Sequence, residues 1–294
     1  MSDLAVDVKD VKYVYPDGCV ALDSVDIRVV RGERVAILGP NGAGKSTLLM
    51  LIDGLYRPSK GSVHVLGMPT NGNTHKVRMK VGLVFQDPND QLFCPTLWED
   101  VAFGPLNMGL DEEEVTRRAE DALKAVGLYG LKDKAPHHLS AGEKKKATIA
   151  SVLAMNPEVL VLDEPTANLD SKSRIELIGL INNLHRRQRI TLVVATHDLD
   201  FIPMVADRAY VLNRGHVVAE GALEDVFSDS KVMEESGLEP PTLTKLFDLL
   251  NRFTGFDAVK PLPLTIDQAL HEIRHYLAKS RLEPQVRRAV PKES

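Results

Sequence analysis

Residues 39–47 are Gly39-Pro40-Asn41-Gly42-Ala43-Gly44-Lys45-Ser46-Thr47. It has the spacing Gly-x-x-x-x-Gly-Lys-Ser and lies between two apolar runs, at 35–38 and 48–52. The first run is typical of a buried strand and the second of a buried helix. Glycines in such a loop let several backbone N–H groups turn toward one anion, and the helix adds its positive end. The stretch therefore predicts the phosphate-binding loop of a nucleoside triphosphate site.

Within this loop, Lys45 and Ser46 carry the chemistry. A lysine at this position reaches the β- and γ-phosphates, and a hydroxyl directly after it is a ligand for Mg²⁺. The rest of the loop, from Gly39 to Thr47, is predicted to line the same site. The alternative is a chance glycine-rich turn before a helix. The lysine, the hydroxyl and both flanking elements argue against that alternative.

The composition is that of a globular protein with a substantial core. Of the 294 residues, 44% are hydrophobic and 26% are charged, which is a usual balance for folded domains. The formal net charge of −5 argues against a nucleic-acid binder, since such proteins usually carry a basic excess. Two cysteines, Cys19 and Cys94, are too few for a disulfide framework, so we expect a reducing cytoplasm.

Neither a leader nor a membrane span is expected from the sequence. The first residues lack the basic and apolar segments of a signal peptide. The chain also lacks an apolar run of about 18 residues, the length that crosses a bilayer. We therefore expect any membrane role to depend on partner subunits.

The hydrophobic pattern predicts an α/β core that a helical segment interrupts. Alternation over 4–15 and 20–30 predicts two strands joined by a turn. Shorter apolar runs predict further strands, at 60–66, 81–85, 158–165 and 191–198. Asp111 and Ser140 begin two helical patterns, which we interpret as an insertion. Beyond it, the pattern predicts a helix at 171–187, a hairpin at 210–221, helices at 243–253 and 266–277, and a disordered tail at 286–294.

Several chemically active side chains follow the predicted strands directly. Asp163 is placed to hold Mg²⁺ through a water molecule, and Glu164 is placed to polarise the hydrolytic water. His197 fits a sensor of the γ-phosphate, although a single histidine is more often structural. Gln86 could contact Mg²⁺ or water while joined to the helical insertion. Tyr15 is either an aromatic platform for a nucleobase or an ordinary strand tyrosine.

The order of these residues resembles that of the ABC-family ATPases. Seven motifs of that family have a counterpart here, in the same order. They are the A-loop (Tyr15), Walker A (39–47), the Q-loop (Gln86), the signature (139–143), Walker B (159–165), the D-loop (167–170) and the H-switch (His197). The likeness covers about residues 4–230. It implies an α/β P-loop NTPase of ABC-ATPase type with an antiparallel β subdomain, a helical insertion at about 96–157 and a short helical C-terminal extension. The resemblance thus predicts an ATPase domain at 1–230 and the extension, with its disordered tail, at 231–294.

The resemblance also implies a dimer of two such chains, most simply a homodimer, that encloses ATP and Mg²⁺. Each ATP would lie between the phosphate loop of one subunit and the signature motif of the other. The implied contacts come from the D-loop residue Asp170 and from the signature residues Ser140, Ala141, Gly142 and Glu143.

Two of these signature residues depart from the common Leu-Ser-Gly-Gly-Gln pattern. Ala141 replaces a glycine, which is tolerable only if its φ stays negative. Glu143 replaces a glutamine and brings an acid near a phosphate. The lysines that follow, at 144–146, either offset that charge or form a solvated helix face.

A narrower resemblance covers residues 85–105, from Phe85-Gln86-Asp87-Pro88 to Phe103-Gly104-Pro105. This segment resembles the energy-coupling-factor branch of ABC importers, which includes the cobalt and nickel uptake ATPases and the vitamin uptake ATPases. The signature Ser-x-Gly-Glu-Lys-Lys is more similar to the cobalt and nickel group. The resemblance implies an ATP-hydrolysing subunit at the cytoplasmic face of the cell membrane. Its implied partners are transmembrane coupling and substrate-capture subunits, and its C-terminal extension would serve dimer contact.

Several alternatives stay open at this point. The aromatic, acidic and amide side chains between Phe85 and Phe103 suit a groove for a partner's coupling helix, unless Phe93 and Trp98 are simply buried. A vitamin-type importer fits the same motifs as a cobalt importer. A soluble ABC ATPase acting on nucleic acid or ribosomes is a remote alternative, because the charge is acidic and the chain has a single cassette. A binding module without hydrolysis conflicts with the acid pair at 163–164.

Overall fold

The computed structural model describes residues 3–253 and 261–282. The strands are β1 (Leu4–Val14), β2 (Val20–Val30), β3 (Arg34–Leu38), β4 (Lys60–Val65), β5 (Met68–Pro69), β6 (Val81–Val84), β7 (Val159–Asp163), β8 (Thr191–Thr196), β9 (Arg208–Asn213) and β10 (His216–Ala222). The helices are α1 (Lys45–Asp53), α2 (Thr74–Arg78), α3 (Leu97–Asn107), α4 (Glu112–Ala125), α5 (Ala141–Leu153), α6 (Ser171–Gln188), α7 (Ile202–Val205), α8 (Leu223–Ser228), α9 (Ser230–Glu235), α10 (Thr242–Phe253) and α11 (Ile266–Leu282).

The central sheet has the strand order β10-β9-β3-β8-β7-β6. From β9 to β6 every neighbouring pair is parallel, whereas β10 returns antiparallel to β9 as the predicted hairpin. Strands β7 and β8 are buried along their whole length, which explains their continuous apolar runs. The carboxyl ends of the parallel strands therefore meet at one edge of this sheet.

A second, antiparallel sheet has the order β2-β1-β4-β5. Strand β2 alternates exposed and buried residues from Ser24 to Val30, as expected for a strand with one face on the core, whereas register shifts against β2 interrupt the alternation in β1. The alternation over 4–15 and 20–30 therefore predicted this pair with nearly the observed bounds.

Two hydrophobic cores lie on opposite faces of the central sheet. In β3, Val35 and Ile37 pack into the core shared with the antiparallel sheet and α1. Their neighbours Ala36 and Leu38 pack into the core formed by the helices of the insertion. Because successive side chains of a strand point to opposite faces, this one strand joins the two cores. The loop that follows β3 is thus attached to a strand that is buried on both faces.

The insertion contains three packed helices, α3, α4 and α5. Helices α4 and α5 begin within a residue of their predicted starts, with Asp111 and Ser140 as N-caps. Helix α3 was not predicted as a helix. It begins with a capping box in which the Thr96 hydroxyl accepts from the Glu99 N–H and the Glu99 carboxylate accepts from the Thr96 N–H.

The C-terminal segment forms helices α8 to α11. Helix α10 matches its prediction within a residue, whereas α11 starts at the predicted residue but ends at Leu282, beyond the predicted end at 277. Phe247 of α10 is buried against Leu262 and Ala269 in a small core of their own. The predicted disordered tail at 286–294 lies outside the described residues, and the proposed domain division at residue 230 stays a prediction. Among the described helices, none is long and apolar enough to span a bilayer.

Candidate nucleotide site

The sheet topology brings four of the predicted site segments together. Strands β3, β8, β7 and β6 are consecutive neighbours in the central sheet, and their carboxyl ends are level. Leu38 pairs with Thr196, and Asp163 pairs with Ala195. Ligands of open parallel sheets bind beyond these carboxyl ends. The phosphate loop, His197, Glu164 and Gln86 therefore surround one place.

The phosphate loop has the backbone geometry that an anion site needs. Gly44 has φ +102°, and a Cβ there would lie 2.6 Å from the Ala21 carbonyl oxygen, so only glycine fits. It also caps α1 without a side-chain hydrogen bond, so a ligand can take the first N–H groups of the helix. Lys45 is 6% exposed, and its ammonium donates to the carbonyl oxygens of Gly39 at 2.8 Å and Pro40 at 3.1 Å. The loop is thus curled around the lysine.

Asp163 and Ser46 fit the expected magnesium site. Asp163 is 5% exposed, and its Oδ1 has no hydrogen-bond partner among the described residues. Burial raises the pKa of this carboxyl, whereas the Ser46 hydroxyl that contacts it acts in the opposite direction. A buried carboxylate with an unsatisfied oxygen is costly unless a cation or donor compensates it. An oxygen pair of this kind suits Mg²⁺, which prefers carboxylate, hydroxyl and water ligands.

Glu164 is buried, with 5% of its surface exposed, and three neighbouring side chains contact its carboxylate. The Thr196 hydroxyl donates to its Oε2 at 2.8 Å, and Oε1 lies 2.7 Å from His197 Nδ1. Lys45 Nζ lies 3.7 Å from the same carboxylate. The backbone of Glu164 has φ +43°, a strained value that its N–H bond to the Ala195 carbonyl helps to hold. The carboxylate is therefore oriented toward the phosphate loop and the histidine.

Gln86 is exposed at the end of β6, and its backbone carbonyl is fixed by a lysine of the insertion. Lys145 Nζ donates to this carbonyl at 2.6 Å and makes a longer contact, 3.4 Å, to the carbonyl of Glu164. Lys145 is 3% exposed, so it is not part of a solvated helix face. Burial lowers the pKa of its ammonium, and the carboxylates of Asp163, Asp87 and Glu164 oppose that change.

The signature residues begin helix α5. The Ser140 hydroxyl accepts from the Glu143 N–H, and the Glu143 carboxylate accepts from the Ser140 N–H at 2.7 Å. This pairing with the Ser140 backbone lowers the pKa of Glu143. The acid that replaces glutamine is thus a capping residue, which gives it a structural reason. Ala141 keeps a negative φ because it is the first residue of the helix, so its departure from glycine is tolerated.

Gly142 packs closely against helix α6. A Cβ at this position would lie 2.6 Å from the Ser173 hydroxyl oxygen. Asp170 caps α6 by accepting from the N–H and the hydroxyl of Ser173. Asp170 is thus placed at the start of this helix, one contact away from the signature glycine. Lys146 of α5 forms a surface ion pair with Glu176 of α6.

Tyr15 lies beside the phosphate loop, within a cluster of three tyrosines. Its hydroxyl is 2.7 Å from the Thr47 hydroxyl. Its ring meets Tyr13 edge to face, and Tyr13 in turn stacks on Tyr56 at 5.1 Å. Whether Tyr15 also stacks on a nucleobase stays a prediction.

Comparison with known proteins identifies the family. The ABC transporter family profile matches residues 22–167. The energy-coupling factor transporter ATP-binding protein of Methanococcus maripaludis is 44% identical over 92% of this chain and 98% of its own length. This chain belongs to the ABC transporter ATP-binding subunits. It lies in their energy-coupling-factor branch, and it is a transport ATPase that uses ATP with Mg²⁺.

Solved structures agree with the fold of this ABC ATPase. The cbiO1 protein of Clostridium perfringens, described as part of the transporter complex cbiONQ, superposes with a TM-score of 0.72 at 39% identity. The match covers 85% of this chain and 100% of that one. A dimeric ATP-binding cassette bound to ADP and Pi superposes with a TM-score of 0.66 at 33% identity, covering 74% of this chain and 98% of that one.

Sequence reasoning missed two site residues of this ATPase. Thr196 looked like an ordinary strand residue, and only the fold shows its bond to Glu164. Lys145 was grouped with its neighbours as a charge run. The signal was present, because Lys145 shares the buried face of α5 with Gly142, Ile149 and Val152 at helical spacing.

Proposed function

We propose that this ABC ATPase is the energy-coupling subunit of a membrane importer for cobalt or nickel ions, at the cytoplasmic face of the cell membrane. The observation that carries the cargo proposal is the likeness to cbiO1, which spans the whole of that chain. The Glu-Lys-Lys end of the signature motif agrees with it. Glu143 of this motif caps helix α5 through its bond to the Ser140 N–H, so the acid does not disrupt the signature helix.

The residues of the nucleotide site take distinct parts in hydrolysis. Lys45 and the N–H groups of the phosphate loop bind the phosphates, and Tyr15 faces the base. Ser46 and Asp163, with Gln86, are the side chains that would hold Mg²⁺, which neutralises charge on the phosphates when bound. Glu164 accepts a proton from the attacking water, and His197 orients that carboxylate through its Nδ1 contact.

A second copy of the chain completes each site. Ser140 and Ala141 are exposed at the start of α5, where a helix offers N–H groups to an anion. Ala141 lines a cleft of about 660 Å³ together with Ser46 of the phosphate loop and Asp163. In the proposed homodimer, the signature helix of one copy closes on the ATP of the other. The dimeric cassette that superposes on this chain supports this arrangement.

A groove on the insertion suits a transmembrane partner. We call it the insertion groove; it has a volume of about 370 Å³ and is lined by His75, Met79, Phe93, Phe103, Met108 and Met155. Phe93 is 65% exposed and meets Phe103 edge to face at 5.0 Å. The alternative of a buried Phe93 is therefore wrong, whereas Trp98 is half-buried and packs against the core. The phenylalanines are exposed and the methionines half-buried, and such side chains around a concavity are typical of a surface that receives an amphipathic helix.

The insertion groove is joined to the nucleotide site by hydrogen bonds. Gln91, in its wall, accepts from the Phe85 N–H at 3.2 Å and donates to the Thr148 carbonyl and the Ser151 hydroxyl. Phe85 directly precedes Gln86. A helix seated in the groove therefore contacts a side chain that holds the end of β6, which is the route by which hydrolysis reaches the membrane partner.

The test is uptake by cells that lack their own cobalt and nickel importers. The chain is produced together with the membrane proteins that co-purify with it, and uptake of labelled cobalt, nickel and vitamins is measured. The proposal expects cobalt or nickel uptake that is lost in the Glu164→Gln variant. Uptake of a vitamin without metal uptake would overturn the cargo and favour the vitamin-type importer. Co-purification of nucleic acid or ribosomes in place of membrane proteins would overturn the transport role.

A further inference from the structure

Lys145 is a buried cation that the proposed roles above leave without a task. It lies on α5, one turn after the signature residues, yet its ammonium reaches across to the ends of β6 and β7. A lysine is rarely fully buried unless its charge has partners. Here the partners are two backbone carbonyls and the field of nearby carboxylates. Burial of an ammonium group costs free energy of desolvation, so we expect the buried charge of Lys145 to have a role.

The two carbonyls belong to the residues on which the chemistry depends. The bond to the Gln86 carbonyl is short, 2.6 Å, and fixes the backbone from which the Gln86 side chain enters the site. The contact to the Glu164 carbonyl, 3.4 Å, supports a residue whose φ of +43° is strained. One ammonium thus spans the two strand ends and the signature helix of the same subunit.

We propose that Lys145 is a positioning residue for ATP hydrolysis, which holds Gln86 and Glu164 in register with the signature helix of their own chain. It acts through these two residues and does not itself touch the nucleotide. The proposal rests on the catalytic roles assigned above to Gln86 and Glu164. Its consequence is that movement of α5 on closing of the dimer is passed directly to both.

The neighbouring lysines show what Lys145 does that they do not. Lys144 is half-buried and donates to Asn89 in the loop after β6. Lys146 points away from the site toward Glu176 of α6. Lys146→Met therefore removes a charge from the same helix turn without touching Gln86 or Glu164. It is the matched control.

The experiment compares the full chain with Lys145→Met, Lys145→Arg and Lys146→Met in ATPase kinetics. Methionine keeps the length of the side chain but donates no hydrogen bond. We expect Lys145→Met to lower kcat by about tenfold or more, since a charged hydrogen bond is lost, with little change in KM for ATP. Arginine keeps a charged donor and should retain more activity than methionine, and Lys146→Met should stay near the parent chain.

A double-mutant cycle with Gln86→Ala separates positioning from general destabilisation. If Lys145 acts by placing the Gln86 side chain, its removal should cost less kcat once that side chain is absent. Independent, additive losses would overturn the proposal, and so would equal kcat values for Lys145→Met and Lys146→Met. Should Lys145→Met fail to fold, Lys145→Gln, which keeps an amide donor at shorter reach, takes its place in the same cycle.

Failure of this proposal is distinguishable from failure of the site assignment. If Glu164→Gln hydrolyses ATP at the parental rate, the roles given to the strand-end residues are wrong. If Glu164→Gln is inactive while Lys145→Met is unaffected, the site assignment holds and only the positioning role is lost.

Discussion

Two glutamates flank strand β7, Glu158 before it and Glu164 after it, and they differ in burial and in the groups that contact them. Glu164 follows the strand, is buried, and contacts Thr196, His197 and Lys45. Its conversion to glutamine preserves the shape of the side chain, but one acceptor oxygen becomes an NH₂ donor and the ability to accept a proton is lost. We expect Glu164→Gln to lower kcat for ATP hydrolysis by about a hundredfold or more while ATP binding persists. Phosphate release and equilibrium nucleotide binding, measured on the same preparation, check both halves. Unchanged hydrolysis would remove Glu164 from its role.

Glu158 precedes β7 at the opposite edge of the sheet, far from the phosphate loop along the strand. A hydrogen bond from Lys80 and a weaker contribution from Arg31 hold the pKa of Glu158 below the ordinary value of 4.5. A carboxyl whose pKa is lowered in the folded state stabilises it at higher pH and loses that contribution as the pH falls through the folded pKa. At pH 7 we therefore expect Glu158→Gln to lower the free energy of unfolding by about 0.5 kcal/mol, since the pairs are partly exposed.

The same Glu158→Gln variant gives the pH and salt dependence. The difference from the parent chain should shrink as the pH falls below 4.5, and also at high salt. Urea denaturation across pH measures it. Because Glu158 lies away from the nucleotide, kcat should not change, which makes this variant the control for Glu164→Gln. A stability difference that persists at acid pH would contradict the ion-pair explanation.

Residue types at strand ends were predictable, but their partners were not. Glycine spacing, Lys45, Ser46 and the acids at 163–164 have sequence signals because their chemistry constrains residue type and order. Thr196 and Lys145 act through contacts that join distant parts of the chain. Neither contact follows from local spacing, since it depends on strand order and on the packing of α5. For Lys145, the run of three lysines predicts an exposed side chain, whereas the helical spacing places it on the buried face of α5, where the structure has it.

Among the elements, helix α3 is the one that a close reading of the sequence could have found. Thr96 and Glu99 have the spacing of a capping box, and the structure shows both of its hydrogen bonds. Gly104 and Pro105 near its end are helix breakers in most contexts, and they hid the helical pattern. Pro105 has no N–H for the carbonyl four residues before it, and the helix ends two residues later, at Asn107.

The Thr96 cap can be tested by its contribution to stability. Thr96→Ala removes the acceptor for the Glu99 N–H, and we expect the free energy of unfolding to fall by about 1 kcal/mol. Thr116→Ala, at an exposed position within α4, is the control; it should leave stability unchanged or slightly raised, because alanine favours helix. Urea denaturation of both variants decides the matter. Equal effects at the two threonines would show that the cap contributes nothing.

At the scale of the whole molecule, the order of motifs predicted the fold because each motif must end a particular strand. The phosphate loop, Gln86, Glu164 and His197 are far apart in sequence, and only the order β3-β8-β7-β6 makes them neighbours. The contact between the loop after β8 and the C-terminal helix α10 could not be predicted from a sequence motif. Asp200, three residues after His197, accepts from the Thr242 N–H at 2.7 Å and from the Thr242 hydroxyl at 3.1 Å. The first turn of α10 is thus capped by the loop that carries the histidine.

This cap predicts that the C-terminal helices respond to the nucleotide site. His197, Asp200 and Thr242 line one cavity of about 430 Å³ together with Asn41 of the phosphate loop. Removal of the Asp200 carboxylate leaves the N-terminus of α10 uncapped, which costs about 1 kcal/mol locally. We expect Asp200→Ala to speed amide hydrogen exchange in α10 by about fivefold. In the parent chain, ATP with Mg²⁺ should alter exchange in α10, and in Asp200→Ala that response should be lost.

A matched variant separates this coupling from mere loosening of a helix. Asp229 caps the neighbouring helix α9 by accepting from the N–H groups of Lys231 and Val232, and it has no bond to the loop after His197. Asp229→Ala should therefore speed exchange in α9 and leave the response of α10 to ATP intact. Loss of the α10 response in both variants would mean that the C-terminal helices simply unfold together. An α10 response that survives in Asp200→Ala would mean that the signal travels by another route than this carboxylate.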